Sequence, residues 1–100
     1  MHCITLSFVI RTFAHKGLRR FFEHDDRRGI SAEHAPRIAR ILDRLDASPS
    51  PADMNLPGFH FHALTGKRRG TYSVRVSGNW RITFSFEGED AFDVDLEDYH

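Results

Sequence analysis

The sequence predicts an α+β domain in which two N-terminal helices precede an antiparallel sheet. Two patterns carry this expectation. Ile38, Ile41, Leu42 and Leu45 fall at i, i+3, i+4 and i+7, an apolar stripe on a helix that ends before Ser48-Pro49-Ser50-Pro51. From Thr71 to the C-terminus the period drops to two, with β-branched and aromatic residues at alternate positions. One hundred residues, 40% of them hydrophobic and 12% aromatic, suit one compact domain with a modest core.

In chain order, Met1 to Ile10 is mildly apolar but lacks a cationic leader region and a small-residue cleavage site. No apolar run approaches the roughly 18 residues of a membrane span. Val9 to Phe13 reads as a short strand, and residues 1–8 as an N-terminal extension to a domain over residues 9–100. Ala14, Leu18, Phe21 and Phe22 then follow helical spacing, opposite Lys16, Arg19, Arg20 and Glu23. The polar run Asp25 to Gly29 breaks that helix. Ser31 is a plausible N-cap for the second, with Glu33 in its first turn and regular helix from near Ala35, because Pro36 suits only the opening. A lone cysteine, Cys3, rules out an internal disulfide and fits a reducing cytoplasm.

The sheet is organised around a hairpin. Tyr72, Val74 and Val76 alternate with Ser73, Arg75 and Ser77, and Trp80, Ile82, Phe84 and Phe86 alternate with Arg81, Thr83 and Ser85. Directly opposed residues share a face, so placing Val76 and Trp80 together on the buried side makes them partners and leaves a three-residue loop, Ser77-Gly78-Asn79, with Gly78 or Asn79 left-handed. That register sets Val74 against Ile82 and Tyr72 against Phe84. It also opposes Arg75 and Arg81 on the polar face, either as two solvated arginines splayed apart or as a seat for an anion such as phosphate. The last strand, Ala91 to Leu96, turns Phe92, Val94 and Leu96 inward and is expected to end or bulge near Glu97.

Charge is segregated. All 14 lysines and arginines lie between Arg11 and Arg81, where only seven acids occur, a local net charge of +7. The other seven acids follow with no base among them. This suggests a cationic surface able to meet a polyanion, beside an acidic edge strand. His60 and His62 share a face if Phe59 to Leu64 is extended, but a third ligand at useful spacing is missing, so no metal site is expected. Thr65 to Gly70 is a basic turn without the glycine spacing of a phosphate-binding loop.

Several stretches together resemble the HigB toxins, a branch of the RelE/ParE superfamily of type II toxin–antitoxin modules. They are His15-Lys16-Gly17-Leu18, Asp53-Met54-Asn55-Leu56-Pro57-Gly58, His62-Ala63-Leu64-Thr65-Gly66, Ser77-Gly78-Asn79-Trp80-Arg81-Ile82-Thr83-Phe84 and Glu97-Asp98-Tyr99-His100. The resemblance runs from Val9 to the C-terminus. It implies two helices packed on a small twisted antiparallel sheet. It also implies an endoribonuclease that cuts mRNA in the ribosomal A site and is held inactive by a HigA-like helix-turn-helix antitoxin, with no cofactor. Thr65 stands where the family usually has lysine, and Lys67 or Arg68 is a candidate substitute. Tyr72 stands where tryptophan is common.

RNA cleavage without a metal needs the 2′-oxygen deprotonated, charge on the phosphorane neutralised and the 5′-oxygen protonated. Arg81, assisted by Arg75, suits the neutralisation. His62 and His100 suit the proton transfers, with Asp98 orienting a histidine or acting as base, and Tyr99 stacking on a base or donating a hydrogen bond. Lys67, Arg68 and Asn79 join Arg75 as expected phosphate or RNA contacts. His15, His24 and His34 read as surface residues. The competing readings are a non-enzymatic inhibitor of DNA gyrase like the ParE branch, which generally lacks the acid–base tail, and a small RNA-binding module. On the extension reading, deleting Met1 through Phe8 leaves stability and killing unchanged. A melting temperature lowered by several degrees would identify a longer first strand instead.

Overall fold

The computed structural model describes residues 9–99. The expected extension Met1–Phe8 and the residue His100 lie outside them. Within them are helices α1 (Lys16–His24) and α2 (Ala35–Asp46), then four strands, β1 (His62–Ala63), β2 (Thr71–Ser77), β3 (Trp80–Glu87) and β4 (Asp90–Asp98). The strands form one antiparallel sheet in the order β1-β2-β3-β4. No helix among the described residues is long and apolar enough to cross a membrane.

Each helix has a local cause. The His15 ring accepts the Leu18 amide at 3.0 Å through Nδ1, so the histidine expected at the surface is the N-cap of α1. Ala14, expected on the helix stripe, lies outside α1 and donates its amide to the Val94 carbonyl at 2.9 Å. Gly17 and Gly29 pass so closely that a Cβ on Gly17 would stand 2.9 Å from the Gly29 carbonyl oxygen. Helix α2 begins at Ala35 with Pro36 in its first turn, where proline costs no hydrogen bond. Ser31 is not its cap: the Ser31 carbonyl accepts the His34 and Ala35 amides, making a preceding turn, and His34 holds the cap position. The α2 stripe Ile38, Ile41, Leu42 and Leu45 is fully buried with Leu18, Val74, Ile82, Phe84 and Val94.

The β2–β3 pairing follows the expected register for Tyr72–Phe84, Val74–Ile82 and Arg75–Arg81, and differs at the turn. Ser77 pairs with Trp80, and the register shifts between Arg75 and Ser77. The loop is therefore two residues, Gly78-Asn79: Ser77, assigned to a longer loop, is paired, and Val76 is the extra residue of a bulge. Gly78 carries the left-handed backbone, φ +55°. Trp80, expected to be a core anchor, is half-buried at the start of β3, with its ring 6.2 Å from that of His34. The expected alternation from Phe59 to Leu64 also fails. His60 is left-handed (φ +49°), so it does not share a strand face with His62.

In β4 the irregularity lies earlier than expected. Thr83 pairs with Asp95 but Ser85 with Phe92, so the bulge falls at Asp93, which adopts φ +54° and donates its amide to Thr12 Oγ1 at 2.8 Å. The extra residue re-phases the strand, so Ala91 and Val94 are buried while Phe92, expected inward, is only half-buried. Beyond Asp93 the strand runs through Asp98 and so ends, as expected, near Glu97.

Residues 9–14 lie parallel to β4, with bridges at Ile10–Ala91 and Phe13–Val94 and backbone bonds from 2.7 to 3.1 Å. The short strand expected at Val9–Phe13 is thus two bridges separated by the Asp93 bulge. Its consequence is that acidic β4 is not an edge: β3 flanks it on one side and residues 9–14 on the other, with Arg11 paired to Asp90 at 3.3 Å. Phe84 is fully buried on the central strand β3, whereas Trp80 is at the margin. Phe84→Ala is expected to lose about 3–5 kcal/mol and Trp80→Ala distinctly less. Urea denaturation of the two variants measures the ordering.

Candidate active site on the sheet face away from the helices

Cross-strand pairs share a face, so the register assembles this surface row by row. One row runs His62, Ser73, Thr83, Asp95, and the next Arg75, Arg81, Glu97. The helices cover the opposite face, where Val74, Ile82 and Phe84 lie. His62, Arg75 and Arg81 therefore occupy one surface. His62 is on the short strand β1, two strand spacings or roughly 10 Å from β3.

Arg81 is the unusual group. Its Nε and Nη1 are shielded from solvent and have no hydrogen-bond partner among the described residues. A donor buried and unsatisfied costs about 1–3 kcal/mol, more when charged. Its guanidinium carbon lies over the Tyr99 ring, 5.7 Å from the centroid. Tyr99 is held there through the backbone: its amide donates to the Asn79 carbonyl at 2.7 Å, tying the C-terminal stretch to the β2–β3 turn. Asn79 thus contributes its main chain to the site, and its exposed side chain remains available.

Glu97 is opposite Arg81 in the register, yet its carboxylate goes elsewhere. Arg68, in a short helical turn (Gly66–Arg68), grips it with both terminal nitrogens at 2.9 and 2.6 Å, and Thr83 Oγ1 donates to Oε2. Arg68 Nη1 also reaches Tyr99 Oη at 3.4 Å. The Arg68 hydrogen bond holds the Glu97 carboxyl below its ordinary value, against the opposing effect of burial and with help from Thr83. The same pair raises Arg68 above the usual arginine value.

The remaining expected residues are more dispersed. Arg75 lines a polar pocket of about 360 Å³ at the β2 edge, together with Arg37, Gly58, His60, Val76 and Ser77. Arg37, which the sequence did not single out, donates to the Gly58 and Arg75 carbonyls and fixes that edge. Lys67 is exposed in the same short turn as Arg68, and Thr65 is exposed just before it. Asp98 pairs with Trp80, a position facing away from the Arg81 row, and is exposed. The clamp from Arg68 and Thr83 to Glu97 was also missed. Its partners lie 29 and 14 residues apart with a bulge between, so no short-range pattern announces it.

The family model for the RelE-like toxin of the type II toxin–antitoxin system HigB matches residues 11–100. The chain belongs to this family. It is 38% identical over 92 residues to "Endoribonuclease HigB" of Proteus vulgaris, an alignment covering 92% of this chain and all of that protein. It is 35% identical over 78 residues to "Toxin HigB-1" of Vibrio cholerae, covering 74% of this chain and 80% of that protein. Membership makes the chain the toxin of a type II toxin–antitoxin pair, and its partner an antitoxin.

The Glu97 pairing carries a pH signature. A carboxyl held low in the folded state stabilises it above the ordinary glutamate value, 4.5, and loses that contribution as pH falls through the lower folded value. Glu97→Gln is therefore expected to be less stable than the unmutated HigB-family toxin at pH 7, by no more than about 1 kcal/mol for a partly exposed pair. In acid well below 4.5 the two are expected to converge. Urea denaturation at both pH values measures the difference.

Proposed function

We propose that this toxin is a metal-independent endoribonuclease that cuts mRNA in the ribosomal A site and so arrests translation. The observation that carries the reading is the Arg81 guanidinium, whose Nε and Nη1 are shielded from solvent and lack a hydrogen-bond partner among the described residues, set over the Tyr99 ring. A cation already desolvated, with two nitrogens unbonded among the described residues, is preorganised for an anion, and charge developing on a phosphorane is stabilised most where solvent is excluded. The Proteus vulgaris relative named an endoribonuclease supports the same chemistry.

In this reading Arg81 neutralises the phosphorane, with Arg75, Lys67 and Asn79 contacting RNA along the same surface. His62 and His100 carry the proton transfers, one taking the proton of the 2′-hydroxyl and the other delivering a proton to the departing 5′-oxygen. Imidazole suits both because it titrates near neutral pH. Tyr99 stacks on the exposed nucleobase, and Asp98, whose position faces away from the Arg81 row, is left to orient a histidine rather than to serve as base. Acid–base groups of this kind supply about 10²–10⁴-fold acceleration. The ribosome supplies further positioning by holding the mRNA in line for attack. The partners are a HigA-like helix-turn-helix antitoxin, the ribosome and mRNA, all in the cytoplasm.

Primer extension on mRNA after induction tests the reading, with cuts expected only within translated frames. Arg81→Ala is expected to lose about 10²–10³-fold in cleavage rate. Because it also removes an unsatisfied buried donor, it should melt no lower than the unmutated chain. Growth arrest as strong as wild type by the folded variant would overturn the assignment.

A further inference from the structure

An acid directly across an antiparallel pair from an arginine normally pairs with it. Glu97 stands across from Arg81, yet both of its oxygens are taken by Arg68 and Thr83. Arg81, in turn, keeps two shielded nitrogens without a hydrogen-bond partner among the described residues. One carboxylate thus lies within the neighbourhood of two guanidiniums, and only one of them holds it. The sheet fixes Arg81 and Glu97 on adjacent backbones, while Arg68 comes from a separate turn and makes the two-pronged contact that suits its planar fork.

Resting on the nuclease reading above, we propose that Arg68 is a positioning residue that sequesters Glu97, so that Arg81 has no internal carboxylate from β4 competing with the RNA phosphate. In this role Arg68 does not itself need to touch substrate. Its loss would free the carboxylate to turn toward Arg81 and occupy the anion seat with an internal competitor. A phosphate would then have to displace a tethered carboxylate before Arg81 could act. Thr83, donating to the same Glu97 oxygen, aids the sequestration from the β3 side.

The test compares the unmutated chain, Arg68→Ala and the double variant Arg68→Ala/Glu97→Gln, each full length, for mRNA cleavage in a reconstituted translation reaction. Arg68→Ala is expected to lose roughly ten- to a hundredfold, the equivalent of one charged hydrogen bond now made to the wrong partner. The double variant, which lacks the competing carboxylate, is expected to recover most of that loss. A general weakening of the fold would not be repaired by removing the clamp's second half. Arg68 is 45% exposed, so folding is not at stake, and matched melting curves verify this; Arg68→Gln makes the same comparison if Arg68→Ala is unstable. Equal impairment of single and double variants would mean that Arg68 contacts the phosphate itself, and an unimpaired single variant would mean that Glu97 needs no guard. Either result overturns the proposal while leaving the nuclease reading intact. Absence of cleavage by the unmutated chain would overturn both.

Discussion

The site depends on the register of β3 against its two neighbours. Arg81 is opposed by a second arginine on β2 and by a glutamate on β4, and this placement follows from backbone pairing rather than side-chain preference. A slip of one residue would turn Arg81 into the core and Ile82 out of it. The register is pinned by burial on the other face, where Val74, Ile82 and Phe84 have no exposed surface. The hydrophobic core therefore orients the catalytic candidate from the opposite face of the sheet.

Two bulges adjust that frame. The one before Ser77 shortens the hairpin loop to Gly78-Asn79 and brings the Asn79 carbonyl to the Tyr99 amide. The one at Asp93 shifts β4 by a residue, so that Glu97 falls across from Arg81 and Asp98 across from Trp80. The left-handed Asp93 backbone is unusual outside glycine, although aspartate tolerates it better than most residues. The bond from its amide to Thr12 gives the freed donor a partner and joins the bulge to the strand-like residues 9–14. Position and pairing of the C-terminal residues thus trace back to one irregular residue in the strand.

How much of this was legible in the sequence varies with the range of the interaction. The α2 stripe, the presence of the hairpin and the opposition of Arg75 to Arg81 follow from periodicities sustained over several residues, and the one-residue bulge near the turn altered only the loop. The β4 phase was misread because a bulge at an aspartate has no glycine to mark it, and Phe92 and Val94 look equally suited to the inside. Trp80 was misjudged because size and apolarity predict burial, whereas its place at the end of a strand decides how much cover it receives. His60 broke an apparent alternation for the same reason: backbone conformation, not composition, sets the face. The bonds from Arg68 and Thr83 to Glu97 were invisible, since each joins segments whose relative placement only the finished sheet determines.

The arrangement around Arg81 runs against stability in a definite way. A folded chain ordinarily gives a shielded guanidinium a carboxylate, and here one is present across the strand pair but bound to a different arginine. Cation–π contact with Tyr99 offsets part of the cost, at about 0.5–2 kcal/mol, but leaves Nε and Nη1 unsatisfied. The deficit is local and sits where the sheet face is otherwise well bonded: Ser73 and Thr83 are buried beside it, and Arg68, Thr83 and Glu97 satisfy one another. Such a contrast fits a group whose partner arrives from outside. It also explains why a chain of zero formal net charge presents a cation at this point: the carboxylate across the strand pair from Arg81 is neutralised by Arg68.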